Sequence, residues 1–317
     1  MRIVSFLPSA TEILYALGCG EKLVGVTHEC DYPRAAQRKP RMIEPSFDSG
    51  AMTSKAIDQK IVELARSGKE IFLVNEKLMK KANPDLIIAQ GICDVCSPYT
   101  TEVNKALDLF ETKPDVLVLN PTSVSGILES IMQVARKVGR ESEGERLVVS
   151  LRTRIQFIKA ITHEEKRRVL CLEWLDPPFT AGHWVPEMVE MAGGVHGLSS
   201  KGESSRRMGF EEAVEFDPDL IALMPCGFNV SRTILESRLL ASRKEWNSLR
   251  AVRDGNIYVV DSNSYFSKPG PRTITGLEIL AKIVSPSKTQ NIKVPGDSYT
   301  RLAIVSVKPR YTHRPGS

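Results

Sequence analysis

The chain has no apolar segment that could cross a membrane as a helix. A membrane-spanning helix needs about 18 or more consecutive, predominantly apolar residues, and no such run occurs among the 317 residues. The sequence also lacks a glycine-rich phosphate loop, a nucleophile elbow and a two-histidine zinc helix. These absences exclude membrane insertion by a helix and argue against an enzyme of the common nucleotide-dependent, hydrolytic or metalloprotease classes.

No secretory signal precedes the first apolar segment. Met1 is followed by Arg2 and then by residues 3–7, Ile-Val-Ser-Phe-Leu, which we expect to form the first core strand. A signal would place a basic region, an apolar run and a small-residue cleavage site before the domain. We therefore expect a cytoplasmic protein, or an extracytoplasmic one if a signal was removed. In a reducing compartment the six cysteines are free thiols or metal ligands rather than disulfides.

The positive charge of the chain is confined to its C-terminal end. The formal net charge is +5. Residues 286–317 contain six Lys or Arg and one Asp, so this segment alone sums to +5 and residues 1–285 are neutral. A nucleic-acid-binding domain would carry a basic face on its folded part. We therefore expect no nucleic acid partner.

A sequence repeat predicts two lobes of similar architecture. Residues 83–88 are Asn-Pro-Asp-Leu-Ile-Ile and residues 217–222 are Asp-Pro-Asp-Leu-Ile-Ala. Each segment follows a helical stretch, and strand-like apolar segments flank it in both halves of the chain. This order of elements, found twice, predicts an α/β fold with two parallel-sheet, Rossmann-like lobes. We place the lobes at residues 1–121 and 163–285, followed by a basic, proline-containing tail at 286–317.

One long helix is predicted between the lobes, in residues 122–162. Apolar residues recur there at helical spacing, first at Val124 and Ile127 and again from Leu147 onward. A continuous helix from Ser123 to Ala160 would be roughly 55 Å long at ~1.5 Å per residue. Such a helix would be a rigid rod that joins the lobes, permits only modest hinge motion and leaves a ligand cleft between them.

Two segments carry a resemblance to a known family. They are residues 2–18, RIVSFLPSATEILYALG, and residues 173–194, EWLDPPFTAGHWVPEMVEMAGG. Together with the Pro-Asp-Leu strands and the long helix, they resemble the helical-backbone, or class III, substrate-binding proteins, and among these the cobalamin-binding branch. The resemblance covers residues 1–284. It implies a corrinoid ligand such as cobalamin in a cleft between rigid lobes, and an ABC importer as partner, although other members carry haem, ferric siderophores or metal ions.

Residues in the loops at the carboxyl ends of the predicted strands are candidate ligand contacts, because ligands of open α/β sheets bind there. A corrin ring offers a flat apolar face to aromatic side chains and polar amides at its rim. The candidates are Ser9, Tyr32, Trp174, Phe179, His183, Trp184, Phe228, Tyr265 and Phe266. Packing in the core is the alternative for Trp174 and Trp184, and a surface position is the alternative for His183.

Two cysteine-containing loops are candidate zinc or iron sites. His28 and Cys30 are separated by one residue, which places both side chains on one side of an extended loop. Cys93 and Cys96 have the spacing of a metal-binding or redox pair, and a tight structural loop is the third interpretation. If these residues hold a metal, the chain is a cytosolic metalloprotein or metal-dependent enzyme on the same scaffold. A siderophore or haem binder is a further alternative.

Overall fold

The computed structural model describes residues 1–91, 100–162 and 166–302, which form two α/β lobes. The strands of the N-terminal lobe are β1 (Ile3–Ser5), β2 (Leu23–Thr27), β3 (Arg41–Pro45), β4 (Phe72–Val74), β5 (Leu86–Gln90) and β6 (Asp115–Leu119). Its helices are α1 (Pro8–Ala16), α2 (Ser54–Arg66), α3 (Glu76–Ala82) and α4 (Thr100–Leu107), with 3-10 turns at Gly20–Lys22 and Ala36–Arg38. The sheet order is β4-β3-β2-β1-β5-β6, and every pair is parallel except β3 and β4.

Two helices, α5 (Val124–Val138) and α6 (Glu141–Thr162), follow the N-terminal sheet. The prediction of one continuous helix from Ser123 to Ala160 is wrong, because Gly139 ends α5 with a left-handed φ of 68°. The chain then turns back, and α6 packs against α5 close to the turn. A side chain at Gly144 would meet Ala135 at 2.6 Å, so glycine permits this approach. Helix α6, about 33 Å long at ~1.5 Å per residue, carries the chain to the second lobe.

The C-terminal lobe contains a sheet with a parallel centre and antiparallel edges. Its strands are β7 (Val169–Leu175), β8 (Pro178–Thr180), β9 (Arg206–Arg207), β10 (Leu220–Leu223), β11 (Ile257–Val260) and β12 (Tyr299–Arg301). Its helices are α7 (Val185–Met191), α8 (Phe210–Phe216), α9 (Val230–Ser237), α10 (Lys244–Ser248), α11 (Arg250–Arg253), α12 (Ser262–Tyr265) and α13 (Thr273–Val284), with a 3-10 turn at Arg238–Ser242. The order is β12-β11-β10-β7-β8-β9, in which β7, β10 and β11 are mutually parallel.

The sequence repeat corresponds to the same hydrogen bonds in both lobes. Asp85 accepts a hydrogen bond from the backbone N–H of Arg2 at 2.6 Å, and Asp219 accepts one from Arg168 at 2.6 Å. Each aspartate therefore holds the start of its own strand beside the start of the neighbouring central strand. In both lobes the residue two positions earlier ends a helix in left-handed conformation, with φ of 39° and 45°. The prediction of two related α/β lobes is confirmed at this level.

A shared core joins the lobes. One cluster of buried apolar side chains contains Ile13 of α1, Ile131 of α5, Ile155 of α6 and Leu277 of α13. Helix α5 packs on α1, and α6 packs on α13. Separating the lobes would expose apolar surface, at a cost of about 25 cal/mol per Å². The shared core therefore favours small relative motions of the lobes.

The first part of the predicted C-terminal tail belongs to the C-terminal lobe. Strand β12 pairs antiparallel with β11 at the edge of the sheet, with Val259 opposite Thr300. Ser298, just before this strand, is fully buried. The predicted start of the tail at residue 286 is therefore wrong, because residues up to Leu302 pack on the C-terminal lobe. In the described residues, every helix is too short or too polar to span a bilayer.

Candidate ligand-binding site

The carboxyl ends of the central strands of the two lobes face each other. The loops after β1, β2 and β3 meet the loops after β7, β10 and β11, as the contacts described below show. In open α/β sheets this edge is where ligands bind. Among the described residues, the walls of the cleft touch at a site built mainly from charged side chains, at a site built from aromatic rings, and at one ion pair at the edge of the C-terminal sheet.

The first contact is a buried ion pair. Glu12 of α1 lies at the N-terminal wall and is only 4% exposed. Arg272, at the start of α13, donates two hydrogen bonds to it, from Nε at 3.0 Å and from Nη2 at 2.5 Å. Burial raises the pKa of the Glu12 carboxyl, and the hydrogen bonds and charge of Arg272 oppose that rise. A carboxylate in this position needs its guanidinium partner to remain charged.

Asp31 extends this contact. Lys268, itself 5% exposed, donates from Nζ to Asp31 Oδ1 at 3.0 Å and to the backbone carbonyl of Glu29 at 3.0 Å. Asn263 donates to the other carboxylate oxygen of Asp31 at 2.7 Å. We call Glu12, Asp31, Lys268 and Arg272 the charged cluster. The cluster satisfies its buried charges across the lobe boundary.

Two tyrosines flank the charged cluster. The guanidinium carbon of Arg272 lies 4.1 Å from the ring centroid of Tyr32 and 5.8 Å from that of Tyr265. Tyr32 belongs to the N-terminal lobe and is exposed, whereas Tyr265 ends α12 of the C-terminal lobe and is half-buried. The structure therefore brings these two predicted contacts together at one side of the cleft.

The second contact is aromatic. Trp174, at the end of β7, meets Phe228 edge to face with 5.4 Å between ring centroids. Arg232, in the first turn of α9, places its guanidinium carbon 3.8 Å from the centroid of the Phe228 ring. We call Trp174, Phe228 and Arg232 the aromatic platform. Phe228 is only 3% exposed, whereas Trp174 is partly exposed. The platform directs the Trp174 ring and N–H donors toward the opposite lobe, and this combination binds flat ligands with polar rims.

Residues 49–54 of the N-terminal lobe lie on the aromatic platform, and we call them the covering segment. Arg232 donates from Nη2 to the carbonyl of Ser49 at 2.9 Å and to that of Met52 at 3.2 Å. The indole N–H of Trp174 donates to the carbonyl of Ser54 at 3.2 Å. Glu236 of α9 accepts from the backbone N–H and the hydroxyl of Ser54, at 2.7 and 2.6 Å. The first turn of α2 is thereby attached to the C-terminal lobe.

The edge of the C-terminal sheet adds one more contact. Arg207 of β9 donates to both carboxylate oxygens of Asp58 on α2, at 2.8 and 2.9 Å. Its guanidinium carbon also lies 5.5 Å from the ring centroid of Phe179. Phe179 pairs with Trp174 in the register of β7 and β8. Phe179 therefore lies beside the aromatic platform, close to where it was predicted.

The sequence of the chain matches a known protein family. The family model described as "Periplasmic binding protein" matches residues 3–264. The chain belongs to this family. Its members are solute-binding proteins, so the prediction that the chain is not an enzyme is confirmed.

Individual relatives within the periplasmic binding protein family are distant. An uncharacterised ABC transporter substrate-binding lipoprotein of Bacillus subtilis is 26% identical over 292 residues, which is 90% of this chain and 80% of the relative. The vitamin B12-binding protein of Vibrio cholerae is 22% identical and the match covers 87% of this chain and 86% of that protein. The resemblance to the cobalamin-binding branch is confirmed by these matches.

Solved structures show the same fold. The periplasmic vitamin B12-binding protein of Vibrio cholerae has a TM-score of 0.65 at 21% identity, covering 91% of this chain and 98% of that chain. A periplasmic heme-binding protein from Pseudomonas aeruginosa has a TM-score of 0.68 at 18% identity, covering 95% and 99%. Proteins titled as binding different ligands thus share the two-lobed architecture seen here.

Four of the predicted ligand contacts are buried, namely Ser9, Trp184, Phe228 (3% exposed) and Phe266. Trp184 is 5% exposed and donates from its indole to the carbonyl of Phe266 at 3.1 Å, and Phe266 is 3% exposed. Both rings belong to the shared core, so the prediction that they line the cleft is wrong. The alternative of core packing is the correct one for Trp184. Ser9 is 1% exposed because Gly270 lies against it.

Two predicted histidines have an unpaired ring nitrogen. Among the described residues, Nδ1 of His28 and Nδ1 of His183 are buried without a hydrogen-bond partner. His183 adopts a left-handed φ of 53° and stacks on Trp184 at 5.6 Å between ring centroids. Burial lowers its pKa, which favours the neutral imidazole. The ligand contact predicted for His183 stays a prediction.

The structure gives His28 and Cys30 different neighbours, and their pairing in a metal site stays a prediction. The backbone N–H of Cys30 donates to the carbonyl of Thr27, which makes a turn. The His28 ring lies 5.8 Å from that of Phe72, whereas Cys30 Sγ is 3.1 Å from Thr11 Oγ1. Burial raises the pKa of the Cys30 thiol, which disfavours the thiolate that a metal requires.

Metal binding receives no support from the rest of the described chain. Within residues 1–91, 100–162 and 166–302, no group of three or more His, Cys, Asp and Glu side chains could hold an ion. Cys93 and Cys96 lie outside the described residues. The zinc or iron site predicted for them stays a prediction.

Sequence reasoning missed the polar residues that connect the lobes. Arg232 is not among the predicted ligand contacts, yet it is half-buried between Phe228 and the covering segment. Lys268 and Arg272 lie in the predicted ligand loop after β11 and at the following helix start, and their charge could have marked them. Which carboxylates they meet depends on the packing of two lobes, and a linear pattern does not contain that information.

Proposed function

We propose that this binding protein carries a corrinoid such as cobalamin in the cleft between its lobes. The observation that carries the proposal is the aromatic platform, where the partly exposed ring of Trp174 packs on Phe228 and Arg232 offers donors at the carboxyl ends of parallel strands. A corrin ring requires both features, apolar contact with its face and hydrogen bonds to its amide rim. The relatives named vitamin B12-binding proteins support the same ligand.

Equilibrium titration tests this proposal. We expect cyanocobalamin to bind saturably, with one ligand per chain and a dissociation constant below about 100 µM. Absorbance of the corrin and isothermal calorimetry would measure binding independently. Bovine serum albumin at the same concentration is the control for nonspecific adsorption of the ligand. A linear, non-saturating signal up to that concentration would contradict the proposal.

Haem is the second candidate. Arg207 and Arg232 lie at the cleft wall beside aromatic rings, and guanidinium groups pair well with carboxylates such as haem propionates. A structure similar in fold is titled a heme-binding protein. Titration with haemin in the same buffer decides between the ligands, and the tighter of the two is the candidate for the natural cargo. Elemental analysis of the same preparation tests the zinc or iron alternative.

We further propose that the ligand is passed to an ABC importer or handled inside the cell. The relative from Bacillus subtilis, named as an ABC transporter substrate-binding lipoprotein, supports the first possibility. The location of the chain stays a prediction. Fractionation of the source cells, with the protein followed by antibody, tests the predicted cytoplasmic location.

A further inference from the structure

The N–H donors of the aromatic platform bind backbone carbonyl oxygens of the covering segment. Trp174 and Arg232 together make three hydrogen bonds across the cleft, to the carbonyls of Ser49, Met52 and Ser54. All three acceptors are backbone amide oxygens of the covering segment. The platform is therefore already a site that binds a group of uncharged amide oxygens beside aromatic surface.

The charges around the platform favour uncharged acceptors. Burial lowers the pKa of Arg232, and the negative charges of Glu236 and Asp48 oppose that shift. Glu236 lies one turn further along α9 and accepts two hydrogen bonds from Ser54. A ligand carboxylate at the platform would meet these carboxylates as like charges, whereas an amide oxygen would accept from Arg232 without that repulsion.

The covering segment has little else that attaches it. Gly50, Ala51 and Thr53 are exposed, and residues 49–53 contain no regular helix or strand. Ser54, the first residue of α2, is fully buried, and the hydrogen bonds to Trp174 and Arg232 are partly buried. Residues 49–53 lack regular structure, so we expect them to open at lower free energy than the core of either lobe. Displacing the segment would uncover the donors of Trp174 and Arg232 beside the Trp174 ring.

We propose that the covering segment occupies, in the ligand-free protein, the subsite that receives the amide oxygens at the rim of the ligand. The incoming ligand takes over the hydrogen bonds of Trp174 and Arg232, and the covering segment leaves the platform. This inference rests on the proposed function and narrows it to ligands that carry uncharged amides around a flat ring. The segment's own carbonyls stand in for those amides.

Hydrogen exchange is the first test. Adding cobinamide, an amide-rimmed corrinoid, speeds amide exchange in peptides spanning residues 49–56, because the backbone N–H of Ser54 loses Glu236 when the segment leaves. Simple closure of two lobes over a ligand would slow exchange there instead. Slower or unchanged exchange in this peptide at saturating cobinamide would overturn the inference.

Binding kinetics of Trp174→Phe give the second test, since this change keeps a ring and removes the indole donor. The variant loses one bond in the ligand-free state and one in the complex. Association and dissociation both become faster, each by about fivefold, and the dissociation constant changes by less than about threefold. If only association becomes faster, Trp174 holds the covering segment but does not bind the ligand. If only dissociation becomes faster, Trp174 binds the ligand but the covering segment does not compete with the ligand for it. Either result would overturn the inference.

Trp184→Phe is the matched control. It also removes an indole hydrogen bond to a backbone carbonyl, that of Phe266, but both residues belong to the C-terminal lobe, so this bond does not cross the cleft. Both rate constants of this variant stay within about twofold of the wild-type values. If Trp174→Phe fails to fold, as judged by circular dichroism, Arg232→Lys replaces it, because lysine keeps the charge but cannot hold two carbonyls in the same geometry.

The selection of uncharged acceptors is tested with two ligands that share a ring. Cobinamide carries amides at its rim and cobyrinic acid carries carboxylates. Wild-type protein binds cobinamide at least about tenfold more tightly, and equal affinities would overturn the inference while leaving corrinoid binding intact. Absence of binding to any corrinoid would instead contradict the proposed function itself, and the inference with it.

Discussion

At the scale of single residues, His196 is a buried titratable group outside the cleft whose pKa is strongly lowered. Its side chain is buried, Nδ1 is 3.3 Å from the hydroxyl of Ser199, and Nε2 has no hydrogen-bond partner among the described residues. Burial lowers its pKa from 6.5 to about 4. The unfolded chain therefore takes up a proton at higher pH than the folded chain does, and acid favours unfolding.

This difference predicts how stability depends on pH. Between about pH 7.5 and 4.5, His196 alone should lower the free energy of unfolding by roughly 2 to 3 kcal/mol, with little further loss below pH 4. His196→Gln removes the titrating group and should show a smaller decrease over the same range. Urea unfolding followed by circular dichroism at both pH values measures the two slopes. Equal pH dependence in wild type and variant would show that His196 is not buried as a neutral imidazole.

Trp174 and Trp184 show which part of the site could be predicted from the sequence. Trp174 and Trp184 both follow apolar strands and have polar or proline neighbours, so their local patterns are alike. Trp184 is covered by Phe266 in the core, while Trp174 reaches across the cleft to Ser54. That difference depends on which distant segment packs over each ring. Spacing along the chain could predict aromatic cleft loops but could not assign each ring to the cleft or to the core.

At the scale of secondary structure elements, Gly139 decides the path of the chain between the lobes. It ends α5 with a φ of 68°, and no atom lies within 4 Å of the position a Cβ would take. The cost of a side chain there is therefore conformational rather than steric. A left-handed conformation costs an L-residue about 1 to 2 kcal/mol, and asparagine tolerates it better than alanine.

The expected change in the free energy of unfolding on Gly139→Ala has opposite signs for the observed turn and for one continuous helix. With the turn seen here, Gly139→Ala should lower the free energy of unfolding by about 1 to 2 kcal/mol, and Gly139→Asn by less. In one continuous helix, alanine would instead stabilise the chain by up to about 1 kcal/mol relative to glycine. Chemical denaturation of the three proteins measures the sign. If Gly139→Ala stabilises the protein, the result would contradict the turn and support the single long helix predicted from the sequence.

The elements themselves were largely predictable. The repeated Pro-Asp-Leu segments mark β5 and β10, whose aspartates Asp85 and Asp219 make equivalent bonds in both lobes. The break at Gly139 was not predicted, because a helical apolar pattern continues on both sides of it and glycine in a helix is tolerated at modest cost. Turning back lets α6 pack on α5, and this tertiary contact overrides the local pattern.

At the scale of the whole molecule, the lobes are joined by two different kinds of interaction. A shared apolar core through α5 and α6 holds them on one side. The charged cluster and the covering segment hold them across the cleft, through hydrogen bonds that a ligand or water can replace. The first kind sets how the lobes are oriented, and the second sets whether the cleft is accessible. A carrier needs the first to be permanent and the second to be exchangeable.

The buried pair of Glu12 and Arg272 should contribute most of the electrostatic stability across the cleft. Arg272→Met removes both hydrogen bonds and leaves the Glu12 carboxylate buried without them, so we expect a loss of roughly 3 kcal/mol of unfolding free energy. The control is Arg207→Gln, which breaks the more exposed pair with Asp58 and should cost less than about 1 kcal/mol. Chemical denaturation near pH 7 measures both losses. Because the shared core remains, the radius of gyration from small-angle scattering should stay that of the wild type in both variants. A small loss for Arg272→Met, or an expanded molecule, would contradict this division between the core and the cleft.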